Sequence, residues 1–429
     1  MIGSLGVQGQ QLVYSAQQAM QSGRLDEAAR LWAQVLATAP EHSQALFHLG
    51  QHKLMQKDIA SALSLLERAA RADPNAPAIA LNIAFAHRAA GNTAAELAAL
   101  DRALAIDPYF LPALLSKGAA LERGGLSKQA AQIYRNALSV APADHLLSPE
   151  LRTSLAHAGA AVAQNAEHLD RHLGAKLAAL RARYADLSLD RFEECKEVIL
   201  GRKKVYVQQP SMLHFPRLPA IQFYDRAEFA WLPLLEAATN DIRQEFLAIY
   251  GEDNRDFVPY VNHPEGAPTQ QWTELNRSPR WSVYFLWKDG QKLNTACHRC
   301  PKTAAAAETV PMIDIPNFAP TVMFSTLAPH TRIPPHSSVT NVRLVVHLPL
   351  IVPNGCGFRV GNDVREWREG KAWVFDDTME HEAWNDSDRL RVILMIDIWN
   401  PYLNKAEREL VSALLNGLRE YNQDDRGWH

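Results

Sequence analysis

The amino-terminal part of the chain carries a hydrophobic pattern with helical spacing that repeats every 34 residues. Each unit contains two stretches whose apolar residues fall on one face of a helix. A proline closes every unit, and a small residue recurs in phase where one helix must closely approach its neighbour. These positions are Pro40, Pro74, Pro108 and Pro142, and Ala16, Gly50, Ala84 and Gly118. The pattern predicts stacked antiparallel helix pairs over residues 12–147.

The first unit shows how each pair is built. LVYSAQQAMQSGR and LDEAARLWAQVLATAP are the two helical segments, with Gly23 at the turn and Pro40 ending the second helix. The repeat resembles the tetratricopeptide repeat, whose stacked units form an α-solenoid with a groove that commonly receives extended peptides or partner proteins. In the third unit, Glu96 replaces the small residue found elsewhere, so we expect its carboxylate to reach solvent or a neighbouring cation.

Residues 148–204 are rich in Ala, Leu and Arg and predict helices that cap the repeats or connect them to the rest of the chain. His168 and His172 have the spacing of metal ligands on a helix, but no acidic residue completes a metalloprotease motif. We interpret them as solvent-facing side chains.

A different pattern occupies residues 321–399, where short apolar segments with period two are separated by turn signals such as Pro353-Asn354-Gly355. In the segment RLVVH, alternation places Arg343 and His347 on one face of a strand. The pattern favours an all-β double-sheet jelly roll, also called a double-stranded β-helix. Helices near residues 229–250 and 405–421 are predicted to brace it.

The composition of the 429-residue chain, 47% hydrophobic and 21% charged, is typical of globular proteins. A net charge of -3 gives no electrostatic reason to expect nucleic acid as a partner. Because no stretch has the pattern of a secretory signal or a membrane span, we expect no membrane association and a cytoplasmic location. Cys297 and Cys300 form a CHRC pair, but without a second such pair it is a weak indication of zinc.

The residues that could bind a metal or a cosubstrate are concentrated between Pro334 and Pro401. His336 and His381 offer two neutral imidazoles, which suit Fe(II). Arg391 opens the segment RVILMIDIW, which predicts a buried strand, so its guanidinium needs an anionic partner. A planar two-pronged cation is what a dicarboxylate cosubstrate requires.

The motifs IPPHSSVTNVRLVVHLPL, CGFRVGNDVREWREGK and FDDTMEHEAWNDSDRLRV resemble the aspartyl/asparaginyl β-hydroxylase family of 2-oxoglutarate oxygenases, with the resemblance covering about residues 205–405. It implies that His336 and His381 bind Fe(II) and that Arg391 holds the distal carboxylate of the cosubstrate 2-oxoglutarate. Other residues carried over by the resemblance are Trp281, Ser325 and His347, at cosubstrate-contacting positions, and Arg343, near the substrate acid.

Two departures from the expected pattern concern the metal and the cosubstrate. Ser338 stands where many iron sites of this type carry a carboxylate, so that either water or one of Asp376, Asp377 and Glu380 would complete the site. A role in orienting the imidazole is the favoured interpretation of these acids. Val345 occupies a position where animal members carry another cosubstrate-binding arginine.

The predicted organisation is a repeat domain at 1–147, a helical linker at 148–204 and a catalytic domain at 205–429. The resemblance implies β-hydroxylation of Asp or Asn residues in a peptide or protein, which the repeat groove would help to select. One alternative is hydroxylation of a free amino acid or an acyl chain. Another is a repeat-based binding module that carries an inactive oxygenase domain.

Overall fold

The computed structural model describes residues 6–252 and 256–422 of the chain. The chain divides into two compact units, Met1–Lys196 and Glu197–His429. The division falls inside the predicted linker, residues 148–204, while the predicted domain boundaries themselves stay a prediction. The outer ends of the predicted repeat and catalytic domains, at 1–5 and 423–429, lie outside the described residues.

The first unit consists of helix pairs, which confirms the predicted repeats. Between the two helices of the first pair, Gly23 adopts a positive φ of 72°, a conformation that favours glycine. The repeat helices are α1 (Val7–Gln21), α2 (Leu25–Thr38), α3 (Ser43–Met55), α4 (Ile59–Ala72), α5 (Pro77–Ala89), α6 (Thr93–Ile106), α7 (Leu111–Arg123) and α8 (Ser127–Ser139). They pack through small residues that are fully buried, including Ala16 and Ala84.

The irregular third repeat keeps its acidic residue inside the fold. Glu96 is 3% exposed, and Arg123 donates a hydrogen bond to it over 2.6 Å. The expectation that this carboxylate would reach a neighbouring cation is therefore confirmed.

Gly118 is a position where two helices approach too closely for any side chain. A Cβ atom placed there would lie only 2.2 Å from Cε1 of Tyr134, whose side chain is itself buried. We therefore expect Gly118→Ala to lower the free energy of unfolding of the repeats by about 1–3 kcal/mol through overpacking. The measurement is urea denaturation followed by circular dichroism. Gly159→Ala is the matched control, because a Cβ added there would meet nothing within 4 Å. Its free energy of unfolding should equal or exceed that of the unmodified chain. Equal losses of stability in the two variants would contradict this account.

Two further helices follow the repeats, as predicted, at α9 (Pro149–Arg183) and α10 (Asp190–Ile199). Ala158 of α9 belongs to the same apolar cluster as Tyr134 of the last repeat. Both His168 and His172 are exposed on α9, in agreement with their interpretation as solvent-facing residues.

The second unit is built on antiparallel strands in two sheets. The strands are β1 (Val258–Pro259), β2 (Trp281–Lys288), β3 (Gln291–Lys292), β4 (Val322–Leu327), β5 (Thr331–His336), β6 (Arg343–Ile351), β7 (Cys356–Val360), β8 (Asp363–Glu366), β9 (Trp373–Phe375), β10 (His381–Asn385) and β11 (Arg391–Trp399). One sheet has the order β1-β2-β4-β11-β6-β9, with β3 paired to β2, and the other has the order β5-β10-β7-β8. This distribution of consecutive strands over two sheets is typical of the predicted jelly roll.

Helices of the second unit are α11 (Leu232–Ala237), α12 (Thr239–Glu252), α13 (Asn294–Arg299), α14 (Pro301–Glu308) and α15 (Lys405–Asn422). They include the two bracing segments predicted from the sequence. Short 3-10 turns occur at Asp144–Leu146, Arg226–Glu228 and Gln270–Trp272.

The predicted alternation along β6 is confirmed and explains how the site forms. Leu344 and Val346 enter an apolar cluster shared with α12 and α14. The opposite face carries Val345, which joins a second cluster with Phe375 of the same sheet and Phe358 of the other sheet. This second cluster fills the space between the sheets, and the candidate site lies in its polar part.

Among the helices of residues 6–252 and 256–422, none combines the length and the apolar character that crossing a membrane requires. The cytoplasmic location stays a prediction. Cys297 and Cys300 are both buried free thiols, and burial raises the pKa of Cys300 to about 12.

Candidate active site

Pairing of β5 with β10 brings the two predicted metal ligands together. The strands run antiparallel, and the register sets His336 directly opposite His381. Their ring centroids are 4.1 Å apart. Two imidazoles from distant parts of the sequence thus face each other across one small sheet.

Both rings are held in the form that can bind a metal. A backbone carbonyl lies beside each Nδ1, that of Pro334 at 2.8 Å from His336 and that of Met379 at 3.0 Å from His381. Nδ1 therefore donates, and Nε2 carries the free lone pair. Burial lowers the pKa of His336 to about 3 and that of His381 to about 4, so both rings are neutral at physiological pH.

The acidic residues next to His381 have other partners. Asp376 accepts hydrogen bonds from the backbone and side chain of Thr378 and from Gln208, and Glu380 pairs with Arg359 over 2.9 Å. Within the described residues, no three or more His, Cys, Asp and Glu side chains are grouped so that they could hold a metal together. The structure thus brings two imidazoles together, with no third side chain of these types grouped with them in the described part of the chain.

Asp377 is the acid whose environment leaves one oxygen available. Its Oδ2 pairs with Arg343 over 2.8 Å, while the buried Oδ1 has no hydrogen-bond partner among the described residues. The charge of Asp377 also acts on the ring of His336, raising its pKa against the larger effect of burial. This position suits the predicted orienting role.

Arg391 is the buried cation that the sequence predicted to need an anion. It is 2% exposed, and its Nη1 has no hydrogen-bond partner in the described part of the chain. Burial lowers its pKa from an ordinary 12.5 to about 10. A guanidinium left this way in the interior is costly unless a ligand joins it.

His347 lies close to this cation. It is 4% exposed, and neither ring nitrogen has a partner among the described residues. Burial, and then the charge of Arg391, lower the pKa of His347 well below its ordinary value. The ring is therefore neutral, with one donor and one acceptor left free.

Two tryptophans that the sequence reasoning missed complete this pocket. The Cζ of Arg391 lies 5.8 Å from the ring centroid of Trp367, which stacks on His347 at 5.7 Å. Trp373 packs on Trp367 at 4.3 Å. The indole Nε1 atoms of both are buried and find no hydrogen-bond partner among residues 6–252 and 256–422. Trp367 lies within the motif CGFRVGNDVREWREGK, and Trp373 lies between that motif and the next one, which is the only signal in the sequence that could have drawn attention to them.

Trp281 and Ser325 are buried on the larger sheet. On neighbouring strands β2 and β4, the indole Nε1 of Trp281 donates to the Ser325 hydroxyl over 3.1 Å. The Trp281 ring lies 6.4 Å from His336 and stacks on Tyr260 at 4.2 Å. Trp272, also missed, packs edge-on against His336 at 4.9 Å.

Arg343 is the centre of a partly buried group of ion pairs, with its side chain 15% exposed. Its Nη2 donates to Asp377 and to Ser338, both within 2.8 Å, and its Nη1 donates to Asp397 over 3.3 Å. Two carboxylates, Asp377 and Asp397, thus compensate the charge of this guanidinium. Nε has no partner among the described residues, and the predicted substrate role stays a prediction.

The seven predicted residues form one continuous group. Direct contacts or mutual effects on pKa connect His336, His381, His347 and Arg391, and Trp281 joins Ser325 to the first of these. The charge of Arg343 reaches His381. The structure therefore brings an imidazole pair beside a cluster of buried N–H groups that have no partner among the described residues.

Comparison with known proteins agrees with both units. The family described as aspartyl/asparaginyl β-hydroxylase matches residues 236–401, and the tetratricopeptide repeat matches residues 15–77 and 54–109. The chain is thus a repeat unit followed by a unit of hydroxylase type.

Individual relatives are hydroxylases of more than one kind. The chain is 31% identical over 229 residues to the mouse aspartyl/asparaginyl β-hydroxylase and 30% identical over 222 residues to the human one. These matches cover 50% of this chain but only 28% of each relative. The ornithine lipid ester-linked acyl 2-hydroxylase of Rhizobium tropici is 34% identical over 209 residues, 48% of this chain and 69% of that relative. This chain belongs to the aspartyl/asparaginyl β-hydroxylase family.

Proposed function

We propose that this protein is an Fe(II)- and 2-oxoglutarate-dependent dioxygenase that hydroxylates the β-carbon of Asp or Asn residues in a peptide or protein. The observation that carries the proposal is the pair of neutral imidazoles at His336 and His381 beside the unpaired buried cation of Arg391. Two nitrogen ligands suit ferrous iron. A buried guanidinium without an anion suits a dicarboxylate that arrives as a ligand.

The residues present fit both groups. Ferrous iron bound with 2-oxoglutarate and O2 supplies the oxidation of a substrate C–H bond to C–OH, while the keto acid becomes succinate and CO2. His336 and His381 would hold the metal through Nε2, and the backbone carbonyls at Nδ1 fix the ring orientations. Arg391 would hold the distal carboxylate, with His347, Ser325 and Trp281 as further contacts.

The surroundings of the site favour chemistry protected from water. Aromatic rings line the space between the sheets, and His347 and Arg391 are almost completely buried. A dry site strengthens each electrostatic contact with the cosubstrate. Asp377, whose Oδ1 has no hydrogen-bond partner among the described residues, would orient the imidazole pair or a water molecule. Water rather than a carboxylate would then complete the metal site.

Tetratricopeptide repeats support a peptide or protein as the partner. Stacked helix pairs commonly present a groove to extended chains, and here Gln51 of α3 donates to Asn82 of α5 over 3.2 Å. Amide side chains on successive repeat helices are suited to peptide groups. We propose that this unit selects the substrate.

A second candidate, hydroxylation of an acyl chain, has its own supporting observations. The Rhizobium tropici relative is an acyl 2-hydroxylase. In addition, the Arg343 guanidinium already pairs with Asp377 and Asp397. The carboxylate of an aspartate substrate would have to compete with these two acids for Arg343. A neutral chain would meet no such competition.

Product analysis distinguishes these functions. The full chain would be incubated in air with Fe(II) and 2-oxoglutarate, together with Asp- or Asn-containing peptides, free amino acids or acyl lipids. Mass spectrometry should find one added oxygen on a peptide. Oxygen found only on the acyl chain or the free amino acid would reject the peptide proposal. Failure to bind iron, with no succinate formed, would indicate a binding module with an inactive domain.

A further inference from the structure

Trp373 lies next to Val345, the position at which the resemblance predicts an arginine. On β6 and β9, Val345 lies opposite Phe375 and His347 lies opposite Trp373. Trp373 is therefore the diagonal neighbour of Val345, and both side chains enter the cluster between the sheets. The indole of Trp373 therefore lies beside Val345 in the space between the sheets.

The unpaired atoms of this pocket have one chemistry in common. Arg391 Nη1, Trp367 Nε1 and Trp373 Nε1 can only donate, and His347 has one donor nitrogen. Trp373 is 7% exposed and Arg391 is 2% exposed, so solvent does not satisfy them. Buried donors without acceptors are rare in folded proteins. Trp367 lies 5.8 Å from the Cζ of Arg391 and packs on both Trp373 and His347, so these donors form one group, which indicates a ligand rich in acceptor oxygens.

We propose that Trp373 and Trp367 are cosubstrate-binding residues, whose indole N–H groups donate to the carboxylate held by Arg391. This inference rests on the proposed function. The indoles would supply neutral hydrogen-bond donors in place of the guanidinium that an arginine at position 345 would provide. Because Trp373 packs on Trp367, and Trp367 stacks on His347, the N–H groups are fixed before the ligand binds, which reduces the cost of ordering them.

The test uses Trp373→Phe and Trp367→Phe, which remove the N–H and keep an aromatic ring. Calorimetric titration of the full chain with 2-oxoglutarate, in the presence of Mn(II), reports binding without turnover. Each variant should raise Kd at least about tenfold, since the lost hydrogen bond is to a charged group. Trp384→Phe is the matched control, on β10 with its ring beside Arg332 at 5.4 Å, and its Kd should equal that of the unmodified chain.

The outcomes separate this inference from the proposed function. If the unmodified chain binds 2-oxoglutarate and both variants bind it equally well, the tryptophan role is wrong while the proposed function stands. If the unmodified chain itself fails to bind, the proposed function is rejected. Circular dichroism of each variant checks folding, and a variant that unfolds leaves the other as the test.

Discussion

Replacing His381 by alanine should lower Fe(II) affinity and 2-oxoglutarate turnover by more than about a hundredfold, because even residues that only support a metal ligand commonly contribute ten- to a hundredfold. Among the described residues next to His381 in the sequence, only Asp377 keeps a carboxylate oxygen without a partner, and its other oxygen already pairs with Arg343. Asp376 is bonded to Thr378 and Gln208, and Glu380 is paired with Arg359. A single imidazole from His336 would remain.

The measurements for this variant are anaerobic Fe(II) titration and succinate formation in air. His336→Ala should behave in the same way, because the two rings form one site across β5 and β10. His298→Ala is the matched control, since that side chain is exposed on α13 and should leave both quantities unchanged. Retention of iron binding by His381→Ala would show that the metal lies elsewhere.

Replacing Arg391 by methionine should have opposite effects on ligand binding and on stability. Loss of a buried charged partner typically costs about 2–5 kcal/mol of binding free energy, so 2-oxoglutarate affinity should fall at least about thirtyfold. The ligand-free protein should become more stable. Its buried cation has a pKa of about 10 against an ordinary 12.5, a difference worth about 3 kcal/mol.

The expected gain in stability follows from the direction in which folding shifts the pKa of Arg391. A cation whose pKa falls on folding is less favourable in the folded state at every pH below the lowered value, so its removal stabilises the ligand-free fold at neutral pH. Thermal unfolding without ligand should therefore shift upward, and the stabilisation by 2-oxoglutarate should disappear. Exposed Arg389→Met is the control. A destabilised variant that still binds the keto acid would contradict the role of Arg391.

The repeats could be predicted from sequence because their signals are local. Pro40 and its equivalents end helices by a fixed steric effect, and the small residues in phase with Gly118 report close packing that repeats with the chain. The alternation of side chains along β6 is equally visible in the sequence, because successive strand residues such as Leu344 and Val345 point to opposite faces of the sheet. Such patterns need no knowledge of distant contacts.

Parts of the site could not be predicted because they depend on how distant segments pair. The chemistry of the two imidazoles and the family resemblance predict a shared site for His336 and His381, but no local pattern predicts that β5 pairs with β10 in this register. The unpaired N–H groups of Trp367 and Trp373 appear only when the sheets enclose them. Likewise, the ion pairs of Arg343 with Asp377 and Asp397 join three different segments.

The most direct test of the central claim is a crystal structure of the full chain grown without oxygen in the presence of Mn(II) and 2-oxoglutarate. Anomalous scattering locates the metal independently of any assumption about its ligands. The account predicts one metal peak bound by Nε2 of His336 and His381, with the keto acid's distal carboxylate on Arg391. A metal peak away from both imidazoles, or a keto acid that leaves Arg391 unpaired, would contradict it.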